Sequence, residues 1–470
     1  MHLSLPDYIV FIAYAVLVIA VGLWVARKKA DQSNKAQDYF LAEGSLTWWA
    51  IGASLIASNI SAEQFIGMSG SGFAMGLAIA SYEWMAAATL LVVAVFFLPI
   101  YLKNKIYTMP QFLAQRYSPL VATIMAVFWL LVYVFVNLTS ILYLGALAIN
   151  TISGVSLTVC IIGLSVFAVA ITLGGMKVIG YTDVIQVIVL TLGGLATTYL
   201  ALDLVAQHFG SSGALSGLGL VYEKANDHFH MILNKGDMMM PDGKGGTEDA
   251  YAKLPGLAVL VGAMWIANLN YWGFNQYITQ RALGADLKTA RSGLLFASFL
   301  KLLMPVIVVL PGIAAYLLHK EGVGTFQQDM LGPISEGATQ LATKPDRAYP
   351  VLLNLLPEGL KGLSFAALTA AIVASLAGKA NSISTIFTLD IYHKYFNKNA
   401  SQDTLVNVGR IAVIVPMIIA AIVAPALVGF GQIFIFIQDF TGLISPGVVA
   451  IFLLGFFWKP TTASAALAAA

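Results

Sequence analysis

Ser58-Asn59-Ile60-Ser61-Ala62-Glu63-Gln64-Phe65-Ile66-Gly67-Met68-Ser69-Gly70-Ser71-Gly72 is the stretch on which the fold turns. It is dense in hydroxyls, amides and glycines, yet long apolar runs lie on either side of it. Residues of this kind are tolerated at membrane depth only where the backbone is buried in protein or lines a cavity. A helix broken here frees carbonyl oxygens that can coordinate a hard cation. The plainer reading is that Ser, Asn and Gln simply hold neighbouring helices together.

Outward from this stretch the chain is a series of apolar runs. Of its 470 residues 59% are hydrophobic and 10% charged, where a soluble domain carries about 25% charged residues. Such a chain cannot cover itself with a solvated surface. The runs 8–25, 46–72, 77–102, 121–149, 156–173, 184–206, 257–279, 293–318, 363–377, 411–428 and 431–458 predict about eleven spans, since one crossing needs about 20 residues. They are too long and too continuously apolar for the alternating strands of a barrel. The expected class is therefore an all-α integral membrane protein. The first run is no cleaved signal peptide, because Arg27, Lys28 and Lys29 follow its apolar core instead of preceding it. By the positive-inside rule it runs from outside to inside. On that phase the inside loops, Arg281 among them, hold fifteen Lys and Arg and the outside loops eight. Lys301 and Lys379 fall within apolar runs. The net charge of +2 thus reports topology and gives no sign of nucleic-acid binding.

Two segments interrupt the rhythm, 207–254 and 319–349, and both read as outside loops on their turn chemistry. Neither is long enough for a separate domain. Gly52-Ala53-Ser54-Leu55-Ile56-Ala57 matches Gly262-Ala263-Met264-Trp265-Ile266-Ala267 in the pattern G-A-x-x-I-A. Five spans separate the copies, so they enter the membrane in opposite senses, the mark of inverted repeats. The expected organisation is one membrane transport domain over 1–470: an extra N-terminal helix at 7–27, a first five-helix repeat at 45–206, an outside loop at 207–254 and a second repeat at 255–458. A tail at 459–470 reads as the start of another apolar segment, so a truncated chain is expected. Cys160, alone in an apolar run, reads as a small core residue, and no metal-ligand spacing of His and Cys occurs.

Charge inside a membrane costs about 2.5–3.5 kcal/mol on insertion scales, so each case needs a reason. Glu83, beside Tyr82 and Trp84, and Lys301 sit in apolar helices. Together with amides and aromatic rings they suit a neutral polyol, though a purely structural ion pair or a snorkelling chain fits as well. Asn268-Leu269-Asn270-Tyr271-Trp272-Gly273-Phe274-Asn275-Gln276, at the matching place in the second repeat, is equally rich in amides and rings. Asp183 reads either as a functional acid or as a capping charge at a helix start. Ser375 can offer a hydroxyl to a cation. Lys379, one turn on, reads mainly as a lysine near the inner helix end that snorkels.

The runs GASLIASNISAEQFIGMSGSG (52–72), WIANLNYWGFNQYITQR (265–281), FLKLLMPVIVVLPGIAAY (299–316), NSISTIFTLDIY (381–392) and FIQDFTGLISPG (436–447) closely resemble the sodium/solute symporter family. They are nearest its bacterial sodium/galactose branch, related to the sodium/glucose cotransporters. The resemblance implies a LeuT-type fold with two inverted five-helix repeats, one extra N-terminal helix and alternating access. By position it implies a sugar site of Gln64, Glu83, Asn268, Lys301 and Gln438. Tyr271 becomes the stacking inner gate with Trp272 behind it, and Met68, Tyr133 and Phe434 an outer hydrophobic lid. The sodium site takes Ala57, Ile60 and Ala371 carbonyls with help from Ser375, and Asp183 lies on the ion's exit path. This chain departs from the family at Ala374, where a hydroxyl is expected, and at Lys379, Ala86 and Asn270. Losing one oxygen ligand is expected to weaken the cation site by about 1–2 kcal/mol.

The expected function is sodium-coupled symport of a neutral monosaccharide, galactose- or glucose-like, with sodium as co-transported ion. The expected setting is the bilayer of the cell (inner) membrane, with the N-terminus outside and a monomer or weak homo-oligomer. An amino-acid or organic-acid symporter and a transporter-fold sensor stand as alternatives. A membrane enzyme is not expected, because no nucleophile–base set gathers at one depth.

Overall fold

A computed structural model describes residues 4–26, 40, 46–173, 176–334, 339–354, 356–430 and 432–470. Arg27, Lys28, Lys29 and Lys35, which weigh in the positive-inside argument, lie outside the described residues, as does the side chain of Lys177.

The polar stretch breaks its helix where the sequence indicates. Helix α1 (Leu5–Ala26) is followed by α2 (Trp48–Asn59), which stops at Ile60 with φ −74° and ψ 78°. Hydroxyl side chains compete with helical backbone bonds, and Ser61 does so here. Its Oγ accepts the Glu63 N–H at 3.2 Å, while its own N–H turns to the Asn59 carbonyl at 2.8 Å. The Gln64 N–H likewise goes to the Ser61 carbonyl. The carbonyls of Ala57 and Ile60 thereby lose the partners a continuous helix supplies. The chain resumes as a π-helical turn, Glu63–Met68, and then α3 (Ser69–Met75).

Gly76, at φ 68° and ψ −149°, ends α3 in a backbone region that side chains avoid. The helical stretch Glu63–Lys103 is 41 residues long, about 60 Å at 1.5 Å per residue. A bilayer core is half of that, and Gly76 divides the stretch into two crossings. The second comprises α4 (Ser81–Val92) and α5 (Leu98–Lys103). Then come α6 (Pro119–Val132) with α7 (Thr139–Ser153), α8 (Leu157–Thr172), α9 (Met176–His208), α10 (Met264–Gly273), α11 (Leu287–Lys320), α12 (Leu360–Thr385), α13 (Gln402–Val423) and α14 (Ile433–Phe457). Nine stretches among the described residues are long and apolar enough to cross a membrane. Dividing one at Gly76 and adding the shorter apolar α8 gives the eleven spans expected. Ile411, Ile422, Val166 and Leu192 expose most of their surface, an apolar exterior that hydrocarbon covers at no cost.

The long α11 packs against α2, α3, α4 and α9. Close approach at its start requires glycine, since a Cβ on Gly52 would stand 2.7 Å from the Gly293 carbonyl oxygen. Helix α12 is buried from Ser364 to Thr385 and touches α1, α2, α9 and α13. Helix α1 is tied to its start, where Asp7 Oδ1 accepts the N–H groups of Gly359 and Gly362 at 2.8 and 2.9 Å. The second polar stretch is also interrupted. Helix α10 ends at Gly273, and Asn275 caps the next helix, Gln276–Leu283, by accepting the Tyr277 N–H.

The segment 207–254 holds a helix (Ala214–Lys224) and a hairpin of β1 (Met239–Pro241) and β2 (Thr247–Asp249), with Met240 opposite Glu248. Its His228 donates through Nε2 to the Phe73 carbonyl, 3.1 Å away, and stacks on Tyr316 at 3.7 Å. The loop thus caps the break at Gly76. The second loop forms the hairpin β3 (Leu331–Pro333) with β4 (Leu341–Thr343).

Candidate functional site

One cavity collects all ten residues expected to meet the sugar: Gln64, Met68, Glu83, Tyr133, Asn268, Tyr271, Trp272, Lys301, Phe434 and Gln438. It lies between the broken first helix, α4, α10, α11 and α14. Lys301 is wholly buried, and its Nζ lies 2.6 Å from Glu83 Oε2. The pair is therefore an ion pair, but one that lines the cavity instead of filling a wall. The same ammonium donates to Asn59 Oδ1 and sits 5.3 Å from the Trp272 ring. A donor and an acceptor held side by side suit hydroxyls, which do both.

Asn59 is the junction that sequence reasoning missed. Its Nδ2 donates to the Tyr271 hydroxyl at 3.2 Å, and its Oδ1 also receives Gln64 Nε2 at 3.4 Å. Gln64 Oε1 is buried without a protein partner among the described residues. An orphaned acceptor on a cavity wall costs free energy unless something in the cavity satisfies it. Tyr271 and Trp272 meet edge to face at 5.1 Å, and Asn268 Nδ2 donates to the Met264 carbonyl. The Tyr133 hydroxyl donates to Asn275 Oδ1, linking the α6–α7 helix to the second interruption. Phe434 packs edge-on against Tyr82. Of the departures from the family, Ala86 lines the cavity and Asn270 Nδ2 donates to Ser445 Oγ at 2.9 Å.

Next to Asn59, oxygen atoms gather around the break. Ser375 Oγ donates to the Ser58 carbonyl at 3.3 Å, and the Tyr277 hydroxyl donates to the same oxygen. Ala371 is buried one turn before Ser375 on α12, which packs against α2. With the carbonyls of Ala57 and Ile60, which the Ser61 and Gln64 N–H groups leave for other acceptors, this is a set of neutral oxygens on two helices, the donor type a hard cation takes. Among the described residues no group of His, Cys, Asp and Glu could hold a transition metal.

Asp183 caps nothing. It lies well inside α9, and its Oδ2 accepts from Ser54 Oγ at 2.6 Å. Arg281 donates through Nε to the same hydroxyl at 3.0 Å and through an NH group to the Tyr277 carbonyl. Asp183, Ser54 and Arg281 therefore form a chain one helical turn below Ser58, whose own Oγ bonds the Ser54 carbonyl. Arg281, expected in an inside loop, is buried at 2% exposure and belongs to this chain.

Lys379 does not snorkel. It is 2% exposed, with Nζ 3.5 Å from Glu63 Oε2 and 5.1 Å from the Tyr277 ring centre. Glu63 Oε1 also accepts from Ser140 Oγ at 2.8 Å. Both Glu63 and Lys379 line the cavity. The signal for the pair was an uncompensated lysine in an apolar run, which at membrane depth calls for a named acid.

The model of the sodium:solute symporter family matches residues 39–470. A sodium/glucose cotransporter of Vibrio parahaemolyticus is 50% identical over 467 residues, covering 99% of this chain and 83% of the relative's length. A human sodium/myo-inositol cotransporter 2 is 34% identical, covering 97% of this chain and 66% of its own. The fold is shared with a Na+-coupled sialic acid symporter at a TM-score of 0.80 and 22% identity, over 99% of this chain and 89% of that one.

Proposed function

This chain belongs to the sodium:solute symporter family, and on that premise we propose that it carries a neutral monosaccharide into the cell on the sodium gradient by alternating access. One observation supports the coupling. On a single interrupted helix the Ala57 and Ile60 carbonyls, which lose their helical partners, alternate with Asn59 and Gln64, which line the cavity. Asn59 in turn holds Lys301 and Tyr271. Sodium that fixes the break therefore fixes the groups that meet the sugar, and by linkage each raises the other's affinity by the same factor.

In this reading Gln64, Glu83, Asn268, Lys301 and Gln438 bond the hydroxyls. Tyr271, backed by Trp272, closes the inner side, and Met68, Tyr133 and Phe434 cover the outer. Ala57, Ile60, Ala371 and Ser375 hold sodium, and Asp183 receives the ion on its way in. The cavity carries two Glu–Lys pairs and so no net fixed charge, which favours a neutral substrate over an amino or organic acid. The substrate leaves chemically unchanged, so the chain is a carrier and not an enzyme. It lies in the inner membrane with its N-terminus outside, as a monomer or weak homo-oligomer, with repeats at 45–206 and 255–458 flanking the loop 207–254.

Uptake of labelled galactose and glucose into proteoliposomes under sodium, lithium, potassium or proton gradients tests this directly. A sodium gradient alone should drive accumulation, and Gln64→Ala should abolish it while the protein remains folded. Uptake driven equally by potassium, or unchanged by Gln64→Ala, would overturn the reading.

A further inference from the structure

Of the two Glu–Lys pairs that line the cavity, the sugar site as read above uses only Glu83 and Lys301. The second, Glu63–Lys379, stands beside the oxygens assigned to sodium. Lys379 follows Ser375 by one turn of α12, about 6 Å along the axis, and the two side chains converge on one group. The Lys379 ammonium rests on the Tyr277 ring, the Tyr277 hydroxyl donates to the Ser58 carbonyl, and Ser375 Oγ donates to that same carbonyl. Glu63 enters from the other helix, three residues after Ile60 and immediately before Gln64.

We propose that the Glu63–Lys379 pair is a charge balance that sets sodium affinity at the Ser375 site, with Lys379 a tethered cation competing electrostatically with the ion. The proposal rests on the sodium site assigned above. Lys379 is positive and held within a helical turn of the site, so it opposes a second cation there. Glu63 is negative and offsets it. Lys379 is buried and the Glu63 side chain keeps only 13% of its surface exposed, so salt screens the pair little. An arriving sodium ion repels Lys379 and draws on Glu63, whose neighbour Gln64 lies on the sugar cavity. The pair thus positions the break in response to the ion.

The half-saturating sodium concentration for sugar uptake in proteoliposomes, at zero membrane potential, reads this out. Lys379→Met leaves Glu63 uncompensated and should lower that concentration by up to about a hundredfold, the scale of one unscreened charge about 6 Å away at an effective dielectric of about 20. Glu63→Gln leaves Lys379 uncompensated and should raise it by a similar factor. The double variant, neutral again, should return close to the starting value, and Lys379→Arg should change little. A pair that serves structure alone weakens both singles in the same direction. Sodium-dependent thermal stabilisation of the purified protein supplies the same constants for variants that transport poorly, and the double variant and Lys379→Arg cover a single that fails to fold. Ser375→Ala separates the two readings. If it loses sodium dependence while both single variants match the wild type or shift alike, the charge balance is wrong and the site stands. If Ser375→Ala stays fully sodium-driven, the sodium site falls and the charge balance falls with it.

Discussion

Replacing Lys301 by Ala removes the cation at the centre of the cavity proposed for the sugar, and its contacts set the scale of two separable losses. The first is stability. At 2.6 Å from Glu83 and an effective dielectric of about 20, the attraction is about 6 kcal/mol. Desolvating two ions takes back part of this, so a variant that strands Glu83 loses about 3–5 kcal/mol. The second loss is binding. A charge-assisted hydrogen bond to a sugar hydroxyl contributes about 1.5–3 kcal/mol, and Asn59, released from Lys301, no longer holds Tyr271 in place. Thermal melting in detergent measures the first, and sugar uptake with a KM and Vmax split measures the second. Glu83→Gln with Lys301→Met distinguishes them, because replacing a buried pair by neutral groups of similar size is often close to neutral for stability. We expect Lys301→Ala to melt earlier and not to transport. The double variant should melt near the wild type and still not transport. Wild-type uptake by the double variant would show that the pair only holds helices together, and the assigned pocket would be refuted.

Two further predictions concern the loops 207–254 and 319–349 and their contacts. Asp346, in the loop before α12, is buried, and burial pushes its carboxyl up to about 7 from the usual 3.8. The folded protein therefore holds a proton that the unfolded chain has lost, and stability falls as pH rises from about 4 to 7, by about 1.4 kcal/mol per pH unit at most. Asp346→Asn keeps an oxygen for the Ile433 N–H and should flatten melting temperature between pH 5 and pH 8; an unchanged slope would exclude Asp346 as its source. Gly76→Ala should cost at least about 1 kcal/mol for its left-handed backbone, with more from collision with the His228 backbone. Its melting temperature should fall further than that of Gly154→Ala, where φ is 75°, ψ is 0° and nothing crowds the site, because Gly76 adds both the collision and a ψ that glycine alone readily adopts.

Much of this molecule was legible in the chain because the bilayer constrains it so strongly. A backbone without water must be helical, so run length and hydropathy determined the spans, and a polar stretch inside a span determined where the first helix breaks. The family motifs then placed the sugar residues in sequence, and all ten do face one cavity. What periodicity cannot carry is which helix lies beside which. Arg281 read as a loop cation because it follows an apolar run, yet its short helix folds back beneath the break and buries it against Ser54. Asp183 read as a possible cap because a helix begins nearby, yet α9 starts a turn or more earlier and delivers it to the same serine. Lys379 read as snorkelling because it follows an apolar run near the expected inner end of its helix. Its partner Glu63 is 316 residues away in the chain and meets it only because α12 packs against the broken first helix. Local sequence determined the helices, their breaks and the chemistry each one carries. Only the tertiary structure decided the pairings of buried charge, because in a low-dielectric interior a charge is stabilised by whichever partner the packing brings within a few ångströms, at any distance along the chain.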